Sequence, residues 1–297
     1  MRKSKLFAFI IIAALSFSMV SCGDDDSGIN WIPSEGGEST GVPSTNVTSR
    51  MECPQPKGDA NEQIIAHWTR SGRDSILTYC LAYDLKKLHS RWVAFRFDSK
   101  TRGRSVSRQD AWADDPSLAP RYQIGTGGFG YGYARGHICG SADRLYSREA
   151  NEQTFYMTNM SPQIPNFNRG YWRSYESWLQ DYAADASLSD TIYVVKGGTI
   201  ATGQVSSTIS CNGISVPVPK YYFVALLKVK DAQYSALGFW IEHREYETVK
   251  DKVADFRAHA VSIDELETLT GFNFFPALPD NIEQAVEASY DTASWGL

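Results

Sequence analysis

The order of strand and helix patterns along the chain most constrains its fold. Two β-rich runs, Ile76–Asp84 and Trp92–Phe97, flank a short polar break and predict a β-hairpin. Further β-rich runs predict strands over Ile192–Val195, Tyr221–Val229 and Tyr234–Ile241. Helical patterns are mixed with these strands without regular alternation. This order favours an α+β fold with a central, mainly antiparallel sheet flanked by helices.

Boundary signals add three helices and one short strand. Pro162 and Pro165 precede the first predicted helix. A capping box begins the second helix at Ser262, and Gly271 follows the last residue of that helical pattern. The predicted helices run from Asn166 or Asn168 to about Tyr182, from Ser262 to near Gly271, and over Asp280–Ala288, and the predicted strand is Phe155–Asn159.

The first 21 residues have the pattern of an export signal. A basic start is followed by the apolar run Leu6–Val20, which is short for a membrane-spanning helix. The residues that follow resemble a bacterial lipoprotein cleavage site, which predicts lipidation of Cys22. The acidic run Asp24–Asp26 resembles the surface-export signal of outer-membrane lipoproteins, so we expect an exported protein, lipid-anchored to the cell envelope at the outer membrane surface. The alternative is a simple secretory signal with an incidental cysteine.

Composition divides the remaining chain into two parts. Residues 22–55 are rich in small, polar and proline residues and predict a flexible tether. Residues 56–297 hold the β-rich and helical patterns, and the chain as a whole is 42% hydrophobic, which is enough for one folded domain. Four cysteines follow Cys22, and an exported protein is able to form disulfides. Three pairings are open, of which we favour Cys53–Cys80 with Cys139–Cys211.

The charge distribution is uneven. A net charge of −5 excludes a protein that coats nucleic acid over its whole surface. Between residues 91 and 173, however, the sequence contains twelve basic residues and only seven acidic ones. This excess indicates either a local phosphate-binding patch or a solvated face with ion pairs. The predominance of arginine favours the patch, because a guanidinium group can donate two hydrogen bonds to one phosphate. The eleven arginines of the segment are Arg91, Arg96, Arg102, Arg104, Arg108, Arg121, Arg135, Arg144, Arg148, Arg169 and Arg173.

The stretch 133–144 (Y-A-R-G-H-I-C-G-S-A-D-R) follows a loop with five glycines in eight residues. If it is extended, Arg135, His137 and Cys139 share one face. Histidine can take a proton near neutral pH, and arginine can bind phosphate oxygens. An Arg-Gly-His sequence by itself is equally well explained by a turn with a satisfied histidine.

A second stretch supplies residues that suit a metal ion. Asn168 lies near the predicted helix start, and Glu176 follows eight positions later, about two turns on. An amide oxygen suits a hard cation such as Mg²⁺, and a carboxylate can hold one of its waters. His137 would then deprotonate an attacking water, while Arg108 or Arg135 neutralises charge on the phosphate. Taken separately, Asn168 is also explained as a helix cap and Glu176 as a surface residue.

Together the two stretches resemble the DNA/RNA non-specific endonucleases, the secreted ββα-metal nucleases. The resemblance rests on the motifs A-R-G-H (134–137) with Asp143, N-M-S-P-Q (159–163) and N-R-G-Y-W (168–172), and it extends over roughly residues 76–288. It implies a ββα-metal nuclease fold and hydrolysis of DNA and RNA with little sequence or sugar preference, through contacts to phosphates.

The resemblance also implies roles for individual residues. His137 is the implied general base, and Asn168 is the implied direct ligand of Mg²⁺, for which Mn²⁺ is a substitute. Glu176 contacts the metal through water. Arg108 matches the arginine that precedes the glycine-rich loop, and Arg135, Arg169 and Arg173 are the expected phosphate contacts.

One departure from the family pattern leaves two other readings open. The aspartate that precedes Arg-Gly-His in the family is Ala134 here. An alternative is therefore a catalytically weakened surface lipoprotein that binds nucleic acid without cutting it. A third reading is a cysteine hydrolase with Cys139 as nucleophile and His137 as base.

Overall fold

The structure is a computed structural model that describes residues 46–246 and 252–297. The predicted signal peptide 1–21, the lipidation site Cys22 and most of the predicted tether 22–55 lie outside the described residues. Cys53, near the end of that tether, is fully buried against the central sheet, so packing begins before residue 56. None of the helices in the described residues has the length and apolar character needed to cross a bilayer.

Eleven strands form one large sheet and two small ones among the described residues. They are β1 (Glu62–Ser71), β2 (Asp74–Asp84), β3 (His89–Phe97), β4 (Ala134–His137), β5 (Met160–Gln163), β6 (Thr191–Gly198), β7 (Val205–Cys211), β8 (Ile214–Pro219), β9 (Tyr221–Lys230), β10 (Gln233–Glu242) and β11 (Ala260–Val261). The seven-stranded sheet has the order β1-β2-β3-β6-β9-β10-β11, and every neighbouring pair is antiparallel. The predicted β2–β3 hairpin and mainly antiparallel sheet are confirmed.

The helices match the boundary signals closely. The α-helices are α1 (Arg148–Gln153), α2 (Arg173–Ala184), α3 (Lys252–Arg257), α4 (Ile263–Thr270) and α5 (Asp280–Glu287). Ser262 accepts a hydrogen bond from the main chain of Glu265, and Gly271 ends α4 with a φ of 67° that favours glycine. The strand predicted over Phe155–Asn159 is wrong. A 3₁₀ turn ends at Asn159, and strand β5 begins one residue later.

The central sheet is buried on both faces. Along β2, Leu81 packs on one face with α2, whereas Ala82 packs on the other face with α4, because side chains alternate along a strand. Ile138, directly after β4, belongs to the first face. Fully burying one aliphatic or aromatic side chain stabilises a fold by about 1.5–3 kcal/mol. The sheet is therefore a rigid support, with the Arg-Gly-His motif on its α2 face.

The structure forms no disulfide among the four cysteines that it describes. Cys139 and Cys211 belong to different hydrophobic clusters, so the predicted pairing between them is wrong. Cys53 and Cys80 are neighbours in one cluster, and burial, reinforced by Cys53, raises the pKa of the Cys80 thiol. A disulfide between these two stays a prediction.

Candidate active site

Strand β4 carries the Arg-Gly-His motif and pairs with β5 in a two-stranded antiparallel sheet. Gly136 faces Ser161 in this pair, and a Cβ atom at position 136 would lie 2.1 Å from Oε1 of Gln163. Any larger residue would displace Gln163, which is itself fully buried. Glycine at this position therefore lets the two strands approach and fixes the end of β4.

His137 is the last residue of β4 and lies in an aromatic pocket. Its side chain is 9% exposed and meets the ring of Phe155 edge-on, with ring centroids 5.0 Å apart. The ring of Trp112 is 5.5 Å away, and Nε1 of Trp172 donates a hydrogen bond of 3.2 Å to the main-chain oxygen of His137. Nε2 of His137 is buried and has no hydrogen-bond partner among the described residues. This nitrogen is free to accept a proton.

The surroundings of His137 keep its ring neutral. Burial, followed by the charges of Arg108, Lys196 and Arg135, lowers the pKa of His137 to about 3. A neutral imidazole is the form that a general base requires. A bound phosphate would offset the neighbouring positive charges and thereby strengthen His137 as a base.

Two of the predicted arginines flank this pocket. The guanidinium of Arg135 stacks on Trp112 at 3.7 Å from the ring centroid and donates to the main-chain oxygen of Thr126. Arg108 lies 4.7 Å above Phe155 and pairs with Asp110 at 2.7 Å. Both therefore contact aromatic rings that touch His137, and Arg135 shares its face as alternation predicted.

Asn168 lies in a π-helix, Phe167–Trp172, that leads directly into α2. Asn166 occupies the N-cap position of this turn without a side-chain hydrogen bond, and Asn168 lies inside the turn, so the explanation of Asn168 as a helix cap is wrong. Among the described residues the side-chain amide of Asn168 has no hydrogen-bond partner, and π-helical turns are frequent at functional sites. Trp172, in the same turn, bonds to the main chain of His137 and so joins this turn to β4.

Glu176 belongs to a buried charge network that the sequence analysis missed. Its Oε1 accepts from Nζ of Lys196 at 3.1 Å, and Lys196 also pairs with Asp143 at 3.1 Å. Burial raises the pKa of Glu176 to about 7, with Lys196 opposing this shift and Asp143 adding to it. Burial alone would lower the pKa of Lys196, but the two carboxylates raise it above its usual range. Glu176 is thus a partly buried carboxylate, not the surface residue of the alternative reading.

The sequence contains only a weak signal for this buried charge network. Lys196 is a single charge within the apolar run I-Y-V-V-K-G-G of β6, and it is fully buried. Gln180 completes the network by donating to Asp143 at 2.7 Å. Because Lys196 also lowers the pKa of His137, the network and the histidine lie within one electrostatic site.

The loop after His137 is held by Asn159. Its Oδ1 accepts from the main-chain nitrogen of Cys139 at 2.8 Å, and its Nδ2 donates to the main-chain oxygen of Cys139 at 2.9 Å. Cys139 itself is fully buried, and burial raises the pKa of its thiol to about 12. A protonated, inaccessible thiol is no nucleophile, so the cysteine-hydrolase reading is wrong. Strand β4 ends at His137, and the expected alternation does not continue to Cys139.

The arginine-rich segment is only partly a phosphate-binding patch. Arg91 pairs with Asp59, Glu62 and Asp84, and Arg144 is fully buried beneath Phe95. Other members are committed to local partners: Arg96 to Asp98, Arg102 to Ser189 and Asp190, and Arg148 to Glu152. Arg169, on the turn that carries Asn168, and Arg173, the first residue of α2, are both exposed, and neither has an ion-pair partner within 46–246 or 252–297.

Ala134, the departure from the family pattern, pairs with Gln163 at the start of β4. Residues 134 and 137 are three apart in one strand, so their side chains point to opposite faces. Alanine at this position leaves the surroundings of His137 intact.

The fold is that of a ββα-metal nuclease. Residues 61–281 match the family model described as DNA/RNA non-specific endonuclease, and the chain belongs to this family. It is 33% identical over 221 residues to a nuclease of Nostoc sp., an alignment that covers 72% of this chain and 76% of the relative.

Two further similarities agree with this assignment. The human mitochondrial nuclease EXOG is 25% identical over 253 residues, covering 80% of this chain and 67% of the relative. The solved complex of EndoG with EndoGI, which concerns EndoG inhibition, contains a chain with the same fold, at a TM-score of 0.56 and 19% identity. That match covers 72% of this chain and 88% of the other. The predicted family and ββα-metal nuclease fold are confirmed, and the family indicates a nuclease that acts on nucleic acid.

Proposed function

We propose that this protein is a metal-dependent endonuclease that hydrolyses phosphodiester bonds of DNA and RNA with little sequence or sugar specificity. The observation that carries the proposal is Nε2 of His137, which is buried without a hydrogen-bond partner in the described part of the chain and lies near the charges of Arg108 and Arg135. A neutral base beside fixed cations suits attack of water on a phosphate, where negative charge develops in the transition state.

Asn168 and Glu176 are the side chains that fit a divalent metal at this site. Asn168 offers an amide oxygen free of hydrogen bonds within the described residues, and Glu176 offers a partly buried carboxylate. Asn168 would bind the ion directly and Glu176 through water, with Mg²⁺ as the expected ion and Mn²⁺ as a substitute. When bound, the ion supplies positive charge that stabilises the phosphate in the transition state.

The residues of the chain account for proton transfer and charge. Nε2 of His137 takes a proton from water as the water oxygen bonds to phosphorus. The bond from phosphorus to the 3′ oxygen breaks, which leaves a 5′ phosphate and a 3′ oxyanion that takes a proton from solvent water to become a hydroxyl. Arg108 and Arg135 neutralise charge on the non-bridging oxygens. Arg169 and Arg173 bind neighbouring phosphates, and contacts to phosphate explain tolerance of both sugars and of any base sequence.

A metal-dependent digestion tests the proposal. Plasmid, single-stranded DNA and RNA are incubated with the protein in Mg²⁺, in Mn²⁺ and in chelator. We expect cleavage of all three substrates with either ion and none in chelator. Asn168→Ala should cut slowly and recover in part at high Mg²⁺ or Mn²⁺, whereas Asn61→Ala, an exposed asparagine before β1, should cut normally.

The same experiment separates the two remaining readings. Retention of nucleic acid without cutting under any ion condition would favour the weakened, nucleic-acid-binding lipoprotein. Cutting in chelator at the full rate would contradict metal dependence.

Export and lipid anchoring through Cys22 belong to the same proposal. They rest on the basic start, the apolar run and the acidic residues that follow Cys22. Replacing Cys22 by serine should move the protein from the detergent-soluble membrane fraction to the aqueous fraction. Equal partitioning of the two forms would contradict the anchor.

A further inference from the structure

A second group of oxygen ligands lies on the face of the central sheet opposite His137. Asp264 and Glu267 on α4 and Glu287 at the end of α5 place one carboxylate oxygen each within 4.8 Å of the others. Both helices pack on the face formed with β10, through Leu266 of α4 and Val286 of α5. The group is therefore distinct from the nuclease site, which lies on the α2 face.

Glu287 is buried without compensation. Its side chain is 3% exposed, and its Oε1 has no hydrogen-bond partner among the described residues. Burial, followed by Glu267, raises the pKa of Glu287 to about 8. Glu267 accepts one hydrogen bond, of 2.7 Å, from the main chain of Phe274. Leaving an ionised carboxylate buried beside two others is costly unless a cation compensates them.

The described residues provide no such cation. None of the three carboxylates forms an ion pair with a lysine, arginine or histidine in the described part of the chain. The nearby Glu283 adds a further negative charge that acts on both Glu267 and Glu287. Besides a proton on Glu287, a cation from solution is the remaining source of positive charge for this group.

We propose that Asp264, Glu267 and Glu287 bind one Ca²⁺ ion that joins α4 to α5. Calcium takes six to eight oxygen ligands in flexible geometry and accepts carboxylates with one or both oxygens. Three carboxylates offer up to six oxygens, and water can complete the shell. Mg²⁺ fits less well, because it keeps most of its waters and demands a regular octahedron.

The expected consequence is structural. The ion replaces repulsion between the carboxylates of the two helices by coordination to one shared cation. Because α5 is the last α-helix of the chain, the ion would hold the C-terminal part of the fold to α4. Calcium binding to the folded state raises the stability of the fold by mass action.

Thermal unfolding and calorimetry with CaCl₂ test the proposal in saturating Mg²⁺, which occupies the nuclease site. The unfolding midpoint of the wild type should rise with Ca²⁺. Glu287→Gln keeps the size of the side chain and should weaken Ca²⁺ binding at least about tenfold, with no rise in midpoint. Glu265→Gln, an exposed neighbour on α4, is the matched control and should respond as the wild type does.

A second variant guards against a folding defect of Glu287→Gln. Asp264→Asn changes an exposed side chain and should also weaken Ca²⁺ binding about tenfold. The site is refuted if the wild type ignores Ca²⁺ or if both variants respond like the control. A wild-type midpoint that rises below pH 8 and ignores Ca²⁺ would assign the cluster to a protonated Glu287 instead.

A different observation concerns the glycine-rich loop before β4. Tyr131 lies between Gly130 and Gly132 and is 71% exposed, the most exposed large hydrophobic side chain in the described residues. Its φ of 51° lies in the left-handed region, which is unfavourable for a bulky residue. The loop contacts the site, because the main-chain oxygen of Thr126 accepts from Arg135.

We infer that Tyr131 stacks on an unpaired base of single-stranded substrate. This inference rests on the proposed function, since it concerns a nucleic acid held by Arg135. An exposed aromatic ring on a loop that contacts a proposed phosphate-binding arginine suits the binding of a single strand, because every base offers a flat face to it.

Binding in chelator separates this inference from catalysis, because no cutting is needed. Tyr131→Ala should bind a fluorescent single-stranded oligonucleotide about tenfold more weakly, and Tyr131→Phe should bind it normally. Tyr290→Ala, at another exposed tyrosine, is the control and should bind normally. Unchanged binding by Tyr131→Ala would refute the stacking role, whatever the nuclease assays show.

Discussion

At the scale of single residues, His137 combines two opposing requirements. Burial and three neighbouring cations hold its ring neutral, but the same surroundings make it a weak base in the free protein. A phosphate bound by Arg108 and Arg135 would remove part of the opposing charge. We therefore expect the base to be activated by substrate itself.

Replacing His137 by alanine should nearly abolish phosphodiester cleavage while the fold stays intact. A positioned general base contributes about 10²- to 10⁴-fold to a rate. Initial rates on plasmid and RNA measure the loss, and circular dichroism with thermal unfolding checks the fold. A variant that cuts both substrates at the normal rate would contradict the assigned role.

At the scale of elements, the site depends on how β4, β6 and α2 are joined. Lys196 on β6 reaches Asp143 in the loop after β4 and Glu176 on α2. Gly136 allows β4 to pack against Gln163 of β5. These three contacts set the relative positions of the elements that carry His137 and Asn168.

Replacing Lys196 by methionine should destabilise the protein by about 3–5 kcal/mol, because Asp143 and Glu176 would be left buried without their cation. Because the pKa of Glu176 is already about 7, its protonation in the variant would place the loss of stability at the lower end of that range. Urea unfolding measures the change. Lys230→Met removes a surface pair with Asp190 and should cost less than about 1 kcal/mol. Equal losses for the two variants would contradict a structural role for the buried network.

Replacing Gly136 by alanine should cost about 1–3 kcal/mol and slow cleavage, because the new methyl group displaces Gln163 and shifts the end of β4. Gly127→Ala is the control, since a Cβ there meets nothing within 4 Å. Urea unfolding and plasmid digestion measure both effects. Indistinguishable stability of the two variants would show that β4 and β5 tolerate a wider separation.

At the scale of the whole molecule, buried neutral histidines link the stability of the fold to pH. His243 donates from Nδ1 to the main-chain oxygen of Pro219 and accepts at Nε2 from the main-chain nitrogen of Ile164. Burial, opposed by the bond to Pro219, lowers its pKa to about 4. The unfolded chain takes up this proton near pH 6.5, so stability is full above that pH and falls towards pH 4.

Between pH 7 and pH 5 the wild type should therefore lose about 2 kcal/mol more than His243→Gln. Glutamine keeps one donor and one acceptor, and other titrating groups cancel in the comparison. Urea unfolding at the two pH values gives the difference. Parallel losses in the two proteins would contradict a buried neutral His243.

The sequence by itself determined the β2–β3 hairpin, the mainly antiparallel sheet, the ends of α4 and the two motif blocks that identify the family. These depend on local periodicity, capping chemistry and spacing, which a linear sequence contains. It also predicted His137 and Arg135 on one face of a strand, because strand alternation is local.

Only the tertiary structure decided which charges belong to the site. Arg144 and Arg91 look like Arg135 in sequence, yet burial beneath Phe95 and pairing with three carboxylates commit them to the fold. Contacts between distant segments place Lys196 next to Glu176 in the site and bury Cys139 in the hydrophobic core. Burial and long-range electrostatics arise only when the chain is folded, so protonation and partners could not be read from the residues alone.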